Sequence, residues 1–319
     1  MHNGIFTVDG HADILYRMGE EKLSFYDADS VLHQSYSHLR ASGVDLQVFV
    51  TFVMPNVTPS EQLYQVLASL HRFTTQVERV GAVRRITTVQ QLDEQVLKPD
   101  GSIGALLSLE GADALNGQIA VLHALFGLGV RLIGLTWNGA NCVADGVGES
   151  RGAGLTQFGR DVVSTMQELG MVVDVSHLAA RGVWDVLDMT HKPVIASHSN
   201  AQAVHLHQRN LTDDQIRAIA QTGGVVGATF VPAFIGSETP LTSDHLLKHI
   251  DHLLSVAGEN GVALGSDFDG IEKTLADLRS GEDYPRLYDL LEARFGANTF
   301  AKMAGGNLLR VLRAILPTT

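Results

Sequence analysis

The sequence predicts a parallel α/β fold closed into a (β/α)8 barrel, and three observations point that way. Eight short apolar runs, rich in β-branched residues, recur along the chain. Segments with helical spacing lie between most of them, which implies parallel pairing through helical crossovers. Side chains able to do chemistry gather just after the carboxyl ends of several runs, where barrel active sites are built. Periodicity alone leaves an open doubly wound sheet standing; the placement of the polar residues favours the barrel.

Taken in order, the first run, Ile5–Val8, leads into Asp9-Gly10-His11-Ala12-Asp13. The segment Leu15–Ser42, with Gly19, Ser24, Asp27, Asp29 and Ser30, reads as a long excursion before the second run, Val44–Val53. Leu63, Val66, Leu67 and Leu70 then repeat with the spacing of one helical face. The third run, Ile103–Leu109, ends on Glu110, and the fourth, Val130–Thr136, opens into a stretch containing Gly139, Gly146, Gly148, Gly152 and Gly154. That stretch lacks the strand, tight turn and helix of a phosphate-binding loop and reads as a flexible rim loop. Met171–Val175 and Pro193–Ala196 stop just before His177 and His198. Val225–Phe230 is followed by a helical face of Leu246, Leu247, Ile250, Leu253 and Leu254, and Val262–Leu264 runs into Gly265-Ser266-Asp267-Phe268-Asp269-Gly270. No repeat or linker divides the chain, so a single domain over residues 1–319 is expected.

Composition narrows the function classes. With 45% hydrophobic and 18% charged residues, the chain has apolar surface for a large core. A net charge of −12 opposes attraction to nucleic acid or to an anionic membrane, so neither is expected as a partner. Met1 to Thr7 leave no room for a leader before the first run, and no stretch of about 18 apolar residues occurs, so the expectation is a cytoplasmic protein. Cys142 is the single cysteine, which excludes an internal disulfide and a cysteine-cluster metal site. Metal ligands must therefore come from His, Asp and Glu.

Each candidate has a bland reading beside the functional one. His11 and Asp13 alternate to one side of an extended backbone, as a metal pair or a structural hydrogen-bonded pair would. Glu110 suits either a metal or a helix N-terminus. His177 and His198, 21 positions apart, each end a run, where a lone histidine is usually a satisfied core residue. Asp267 ends the eighth run, whereas Asp269 before Gly270 reads as a turn acid. Together, however, His11, Asp13, Glu110, His177, His198 and Asp267 fall at the carboxyl ends of the first, third, fifth, sixth and eighth runs, a coincidence the bland readings do not explain. Imidazoles and carboxylates without thiolate suit zinc or manganese in a hydrolytic site, and a shared carboxylate can join two ions.

In this order the motifs DGHAD, SLEGAD, DVSH, ASHS and GSDFDG resemble the metal and catalytic motifs of the membrane (renal) dipeptidase family, over essentially the whole chain. The resemblance implies an amidohydrolase-like metallopeptidase with two Zn2+ per chain: His11, Asp13 and Glu110 would hold one, and Glu110, His177 and His198 the other, with Glu110 bridging. It implies that Asp267 contacts a bridging water, acting as general base and then general acid. In VHLHQRNL, residues 204–211, it places on Arg209 the salt bridge to the substrate's terminal carboxylate. The implied substrate is a dipeptide with a free C-terminal carboxylate, cleaved by a metal-bridging hydroxide, and a homodimer is an expectation of the same kind. One departure stands out. Where animal members carry a substrate-binding histidine after the fourth strand, this chain has Trp137, whose neutral indole offers one donor and no charge. Hydrolysis of another small amide, such as an N-acyl amino acid or a β-lactam, therefore stays open, as does a catalytically silent metal-binding barrel.

Other motifs carry less. His245, His249 and His252 have helical spacing, but the leucines and isoleucine around them already define that helix's buried face, so an exposed histidine stripe is expected rather than a metal pair. His205 and His207 read equally as substrate contacts or solvated loop residues, and Cys142 has no evident base beside it.

Overall fold

The computed structural model describes residues 2–27, 29–97 and 101–318. Its strands are β1 (Val8–Ala12), β2 (Leu46–Phe52), β3 (Val83–Arg85), β4 (Ile103–Glu110), β5 (Val130–Gly134), β6 (Val172–Asp174), β7 (Val194–Ala196), β8 (Val225–Ala228) and β9 (Val262–Leu264). Eight of them follow one another in parallel in the order β1-β2-β4-β5-β6-β7-β8-β9. The ends meet through a parallel bridge between Ala12 and Phe268, where Asp13 N–H donates to Phe268 O (2.8 Å) and Asp267 N–H donates to His11 O (3.0 Å). This is the expected (β/α)8 barrel, nearly closed.

Two details differ from expectation. The first strand begins later, at Val8, because Ile5 instead pairs with His2 across a turn in which Gly4 takes a φ of 80°. The ninth strand, β3, carries Arg84 and Arg85, whose charges hide it in the sequence; it pairs only with the first part of β4, Val83 opposite Ile103.

Strand alternation divides the core. Leu46, Val48, Val50, Leu106, Leu132, Val172, Ile195, Val225 and Ala263 share one apolar cluster with Leu308, Leu309 and Leu312. These strand residues point into the barrel, and the helix Asn307–Ile315 closes its amino-terminal mouth. The opposite strand faces, including Phe49, Leu107, Ile133 and Val173, pack against the surrounding helices in a second cluster. Two residues further along the inward rows of β4 to β9 the side chains turn small or polar: Ser108, Gly134, Asp174, Ser197, Gly227 and Gly265. Glu110 continues the row of Leu106 and Ser108, so the period that buries leucine lower in the barrel aims this carboxylate into the carboxyl-terminal mouth.

The excursion after β1 forms two short helices, Ile14–Glu20 and Tyr36–Ser42. Asp269 staples it to the turn after β9, accepting from His33 N–H (2.7 Å), Gln34 N–H (3.0 Å) and Arg17 (3.3 Å). Asp269 is thus a turn acid, as read, with a φ of 67°, and also the anchor of a long loop. The glycine-rich loop after β5 is braced rather than slack: Asp145 accepts from Arg151 and Ala153 N–H, and Ala144 and Gly146 form bridges to Leu155 and Leu178. A side chain at Gly146 would run into Trp137 O, which explains the glycine. No helix among the described residues is long and apolar enough to cross a membrane.

Candidate metal centre and active site

The closing bridge between β1 and the turn after β9 determines which groups meet. His11 Nε2 lies 3.5 Å from Asp13 Oδ2, 3.7 Å from Glu110 Oε2 and 3.9 Å from Asp267 Oδ1. The other oxygen of Glu110, Oε1, lies 2.9 Å from His177 Nε2 and 3.5 Å from His198 Nε2, and those two nitrogens are 2.9 Å apart. One carboxylate therefore faces two groups of donors, His11 and Asp13 on one side and His177 and His198 on the other. His177 and Asp267 both sit at positive φ, 65° and 64°, a left-handed geometry uncommon outside glycine that turns each side chain inward immediately after its strand.

The donors fit metal ions. His11, Asp13 and Glu110 form one buried set able to hold a cation; Glu110, His177 and His198 form another. His11 Nε2 and Asp13 Oδ1 are buried with no hydrogen-bond partner. Orphaned donors at such a convergence are costly unless a ligand completes them. Electrostatics agrees. Burial pushes the imidazoles of His177, to about 4, and of His198 downward, helped by Arg209 and His11 respectively, so both are neutral near pH 7, the form that ligates a metal. His11 moves the other way: burial opposes its charge, but Glu110 and Asp13 outweigh burial and raise it well above the ordinary value. Carboxylates thus gather around His11 Nε2 as they would around a cation. Asp267 is raised well above the usual range, by burial first and with Asp13 and Glu110 adding to it against His11 and Arg209.

Behind these donors lies support that sequence reasoning passed over. Ser197 Oγ is 2.8 Å from His198 Nδ1 and 3.2 Å from His11 Nδ1, and it donates to Asp174 Oδ2 at 2.5 Å. His177 Nδ1 is 2.8 Å from Asn138 Oδ1. Asp174, His11 and His198 have spacing compatible with a metal, but the Ser197 hydroxyl already fills the space among them. A signal existed: Asp174 is a carboxylate in a wholly buried apolar strand, two residues beyond inward-facing Val172.

The mouth opens into a cavity of about 580 Å3 lined by Asp13, Glu110, Trp137, His177, Phe234 and Asp267, among others. Trp137 sits beside the donors, its ring 6.0 Å from that of His177 and 5.4 Å from that of Phe52. Arg209 does not line this cavity. It borders a smaller one of about 90 Å3 shared with His177, donates to His198 O (3.1 Å), stacks over Phe234 at 5.2 Å and has a buried, unpartnered Nε.

The decoys resolve differently from the expected exposed stripe. His249 is fully buried, accepting from Ala201 N–H and pairing with Ile235 O (3.0 Å), because the helix Ser243–Ala257 is covered on that side by residues 232–235. His252 pairs with Asp213 and His245 caps its own helix, so none of the three converges with another. His207 packs on Phe234, and Cys142 is half-buried against the core.

Gly270 offers a direct check on the mouth. A Cβ there would meet Asp13 Oδ2 at 2.3 Å and Asp267 Oδ1 at 2.7 Å, both movable side-chain ends. Gly270→Ala should therefore melt within a few degrees of the parent while both carboxylates move; displacement of ~1 Å typically costs a site about 100-fold in function. Weaker retention of divalent metal on dialysis, at unchanged circular dichroism, is the expected result.

Comparisons with known proteins agree with this geometry. The profile of the membrane dipeptidase family, peptidase family M19, matches residues 1–318. An uncharacterized protein from the pqqA 5' region of Klebsiella pneumoniae is 38% identical over 81% of this chain and 97% of its own length. An uncharacterized dipeptidase of Schizosaccharomyces pombe is 31% identical over 95% of this chain and 79% of its own. Among solved structures, a metallopeptidase from Rhodobacter sphaeroides, bound to a phosphinate mimic of the dipeptide L-Ala-D-Ala, superposes with a TM-score of 0.90 at 25% identity, over 98% of this chain and 99% of that one. Another, described as the metallopeptidase dipeptidase AC, gives 0.91 at 25% identity with the same coverage. With a family match running the length of the barrel and through every donor at its mouth, the chain belongs to the membrane dipeptidase family of metallopeptidases.

Proposed function

We propose that this enzyme is a zinc-dependent dipeptidase with two ions per chain, one held by His11, Asp13 and Glu110 and the other by Glu110, His177 and His198. The observation that carries the reading is the division of Glu110, whose two oxygens face different donor groups. Divalent ions bound there supply Lewis acidity, which makes water a competent nucleophile near neutral pH and polarises an amide carbonyl. Asp267 opens on the same cavity, is not committed to an ion pair closer than 3.9 Å, and takes the proton from water and returns it to the leaving amine. Arg209 carries the substrate's terminal carboxylate. Its burial lowers it only to about 10, so it stays charged, and no carboxylate among the described residues pairs with it directly. A buried guanidinium kept without a direct anion partner suits an anion brought by the ligand. Phe234 and His177 separate it from the open cavity, so binding requires them to yield around the substrate's carboxyl end.

Metal-free and zinc-reconstituted protein should be compared on a panel of dipeptides of both stereochemistries, with bound metal counted in the same samples. Dipeptide cleavage appearing with about two zinc ions per chain is expected. Trp137 supports a second reading, hydrolysis of another small amide, because a neutral indole lines the cavity beside His177, where the family resemblance puts a histidine in the animal enzymes. N-acyl amino acids and β-lactams in the same panel separate the two: zinc uptake with cleavage of these and not of dipeptides would transfer the assignment.

A further inference from the structure

The three imidazoles face Glu110 through Nε2, so each must satisfy Nδ1 from behind. His177 has its own partner, Asn138 Oδ1. His11 and His198 share one, Ser197 Oγ. A serine hydroxyl has one proton and two lone pairs. The nearest partner of Ser197 is Asp174 Oδ2, and the other oxygen of Asp174 already accepts the backbone N–H groups of Ser176 and Ser197, each at 2.9 Å. A carboxylate has no proton to offer, so the hydroxyl donates to Asp174 and its lone pairs accept from Nδ1–H of both His198 and His11. Both rings are then held in the tautomer whose Nε2 lone pair points toward Glu110.

The backbone clamps the serine in this position. A Cβ at Gly227 or Gly265 would come within 2.0 or 1.9 Å of Ser197 O, so the neighbouring strands close on it with no side chain between. Ser197 is 2% exposed and Asp174 likewise, so bulk solvent does not reach either.

We propose that Ser197, anchored by Asp174, is a positioning residue shared by the two metal subsites, orienting His11 in one and His198 in the other so that a single hydroxyl governs the affinity of both. The proposal rests on the two-ion reading above and assigns a role that neither the ligands nor Asp267 requires.

The test is zinc affinity measured by chelator competition, with circular dichroism as the check on folding. Ser197→Ala should raise both zinc dissociation constants, each by ~10–100-fold, the usual cost of losing the partner behind a histidine ligand. Asn138→Ala, which removes the partner of His177 alone, should raise only one. Asp174→Asn keeps the serine and the side-chain size. The two backbone donors hold the amide oxygen, so its NH2 faces Ser197, and the serine proton must turn to one imidazole, forcing that ring into the opposite tautomer. At least one zinc should weaken accordingly. Wild-type protein binding two zinc ions, with Ser197→Ala weakening one or none of them, would overturn the shared role and leave the dipeptidase reading intact. Wild-type protein that takes up no zinc would overturn both.

Discussion

Glu110→Gln is expected to lose zinc from both subsites at once and with it all measurable dipeptide hydrolysis. The substitution preserves volume at a position 8% exposed, so the barrel should remain folded. What changes is the carboxylate that faces both donor sets, with Oε1 beside His177 and His198 and Oε2 beside His11. The carboxylate is held well below its ordinary range, against the effect of burial, by His11 and His177. An amide has neither that charge nor a second acceptor oxygen. The loss of affinity should exceed the ~10–100-fold typical for a supporting partner. Metal analysis after gel filtration, beside a thermal melt, checks it: two zinc ions retained by the variant would remove Glu110 from the bridging position.

Asp267→Asn separates chemistry from metal binding. Asp267 lies on the cavity wall, 3.9 Å from His11 Nε2, and belongs to neither donor set. Asparagine keeps the shape and the left-handed backbone, which it tolerates better than most residues, but cannot take up a proton. Zinc content should therefore stay at the wild-type value while kcat falls by ~10²–10⁴-fold, the range of a lost general acid–base group. Comparable turnover in the variant would exclude Asp267 from proton transfer; parallel loss of zinc would make it a ligand instead.

Both residues are candidates for reasons that are local in the sequence. Glu110 stood out because a carboxylate directly after a buried apolar run needs a partner, and the inward phase of Leu106 and Ser108 brings it into the mouth. His11, His177, His198 and Asp267 stood out as polar residues ending short strands, a pattern local enough to survive without coordinates. The excursion after the first strand was legible as an interruption. That Asp269 pins it to the turn carrying Asp267 was not, since the contact with His33 spans 236 positions.

The linear chain thus determined the fold class, the approximate places of the eight barrel strands and the residues near their carboxyl ends, because strand period, helix period and turn residues act over a few positions. Three things came only from folding. Closure of β1 against Phe268 chose which side of Glu110 each donor faces. The packing of Phe234 and His177 placed Arg209 behind the cavity wall rather than on it. The inward layer of Gly134, Asp174, Ser197, Gly227 and Gly265 put one hydroxyl between two histidines from β1 and β7. Each is a long-range contact, determined by barrel curvature and by how closely glycine lets strands approach, and neither quantity is written in any local stretch of sequence.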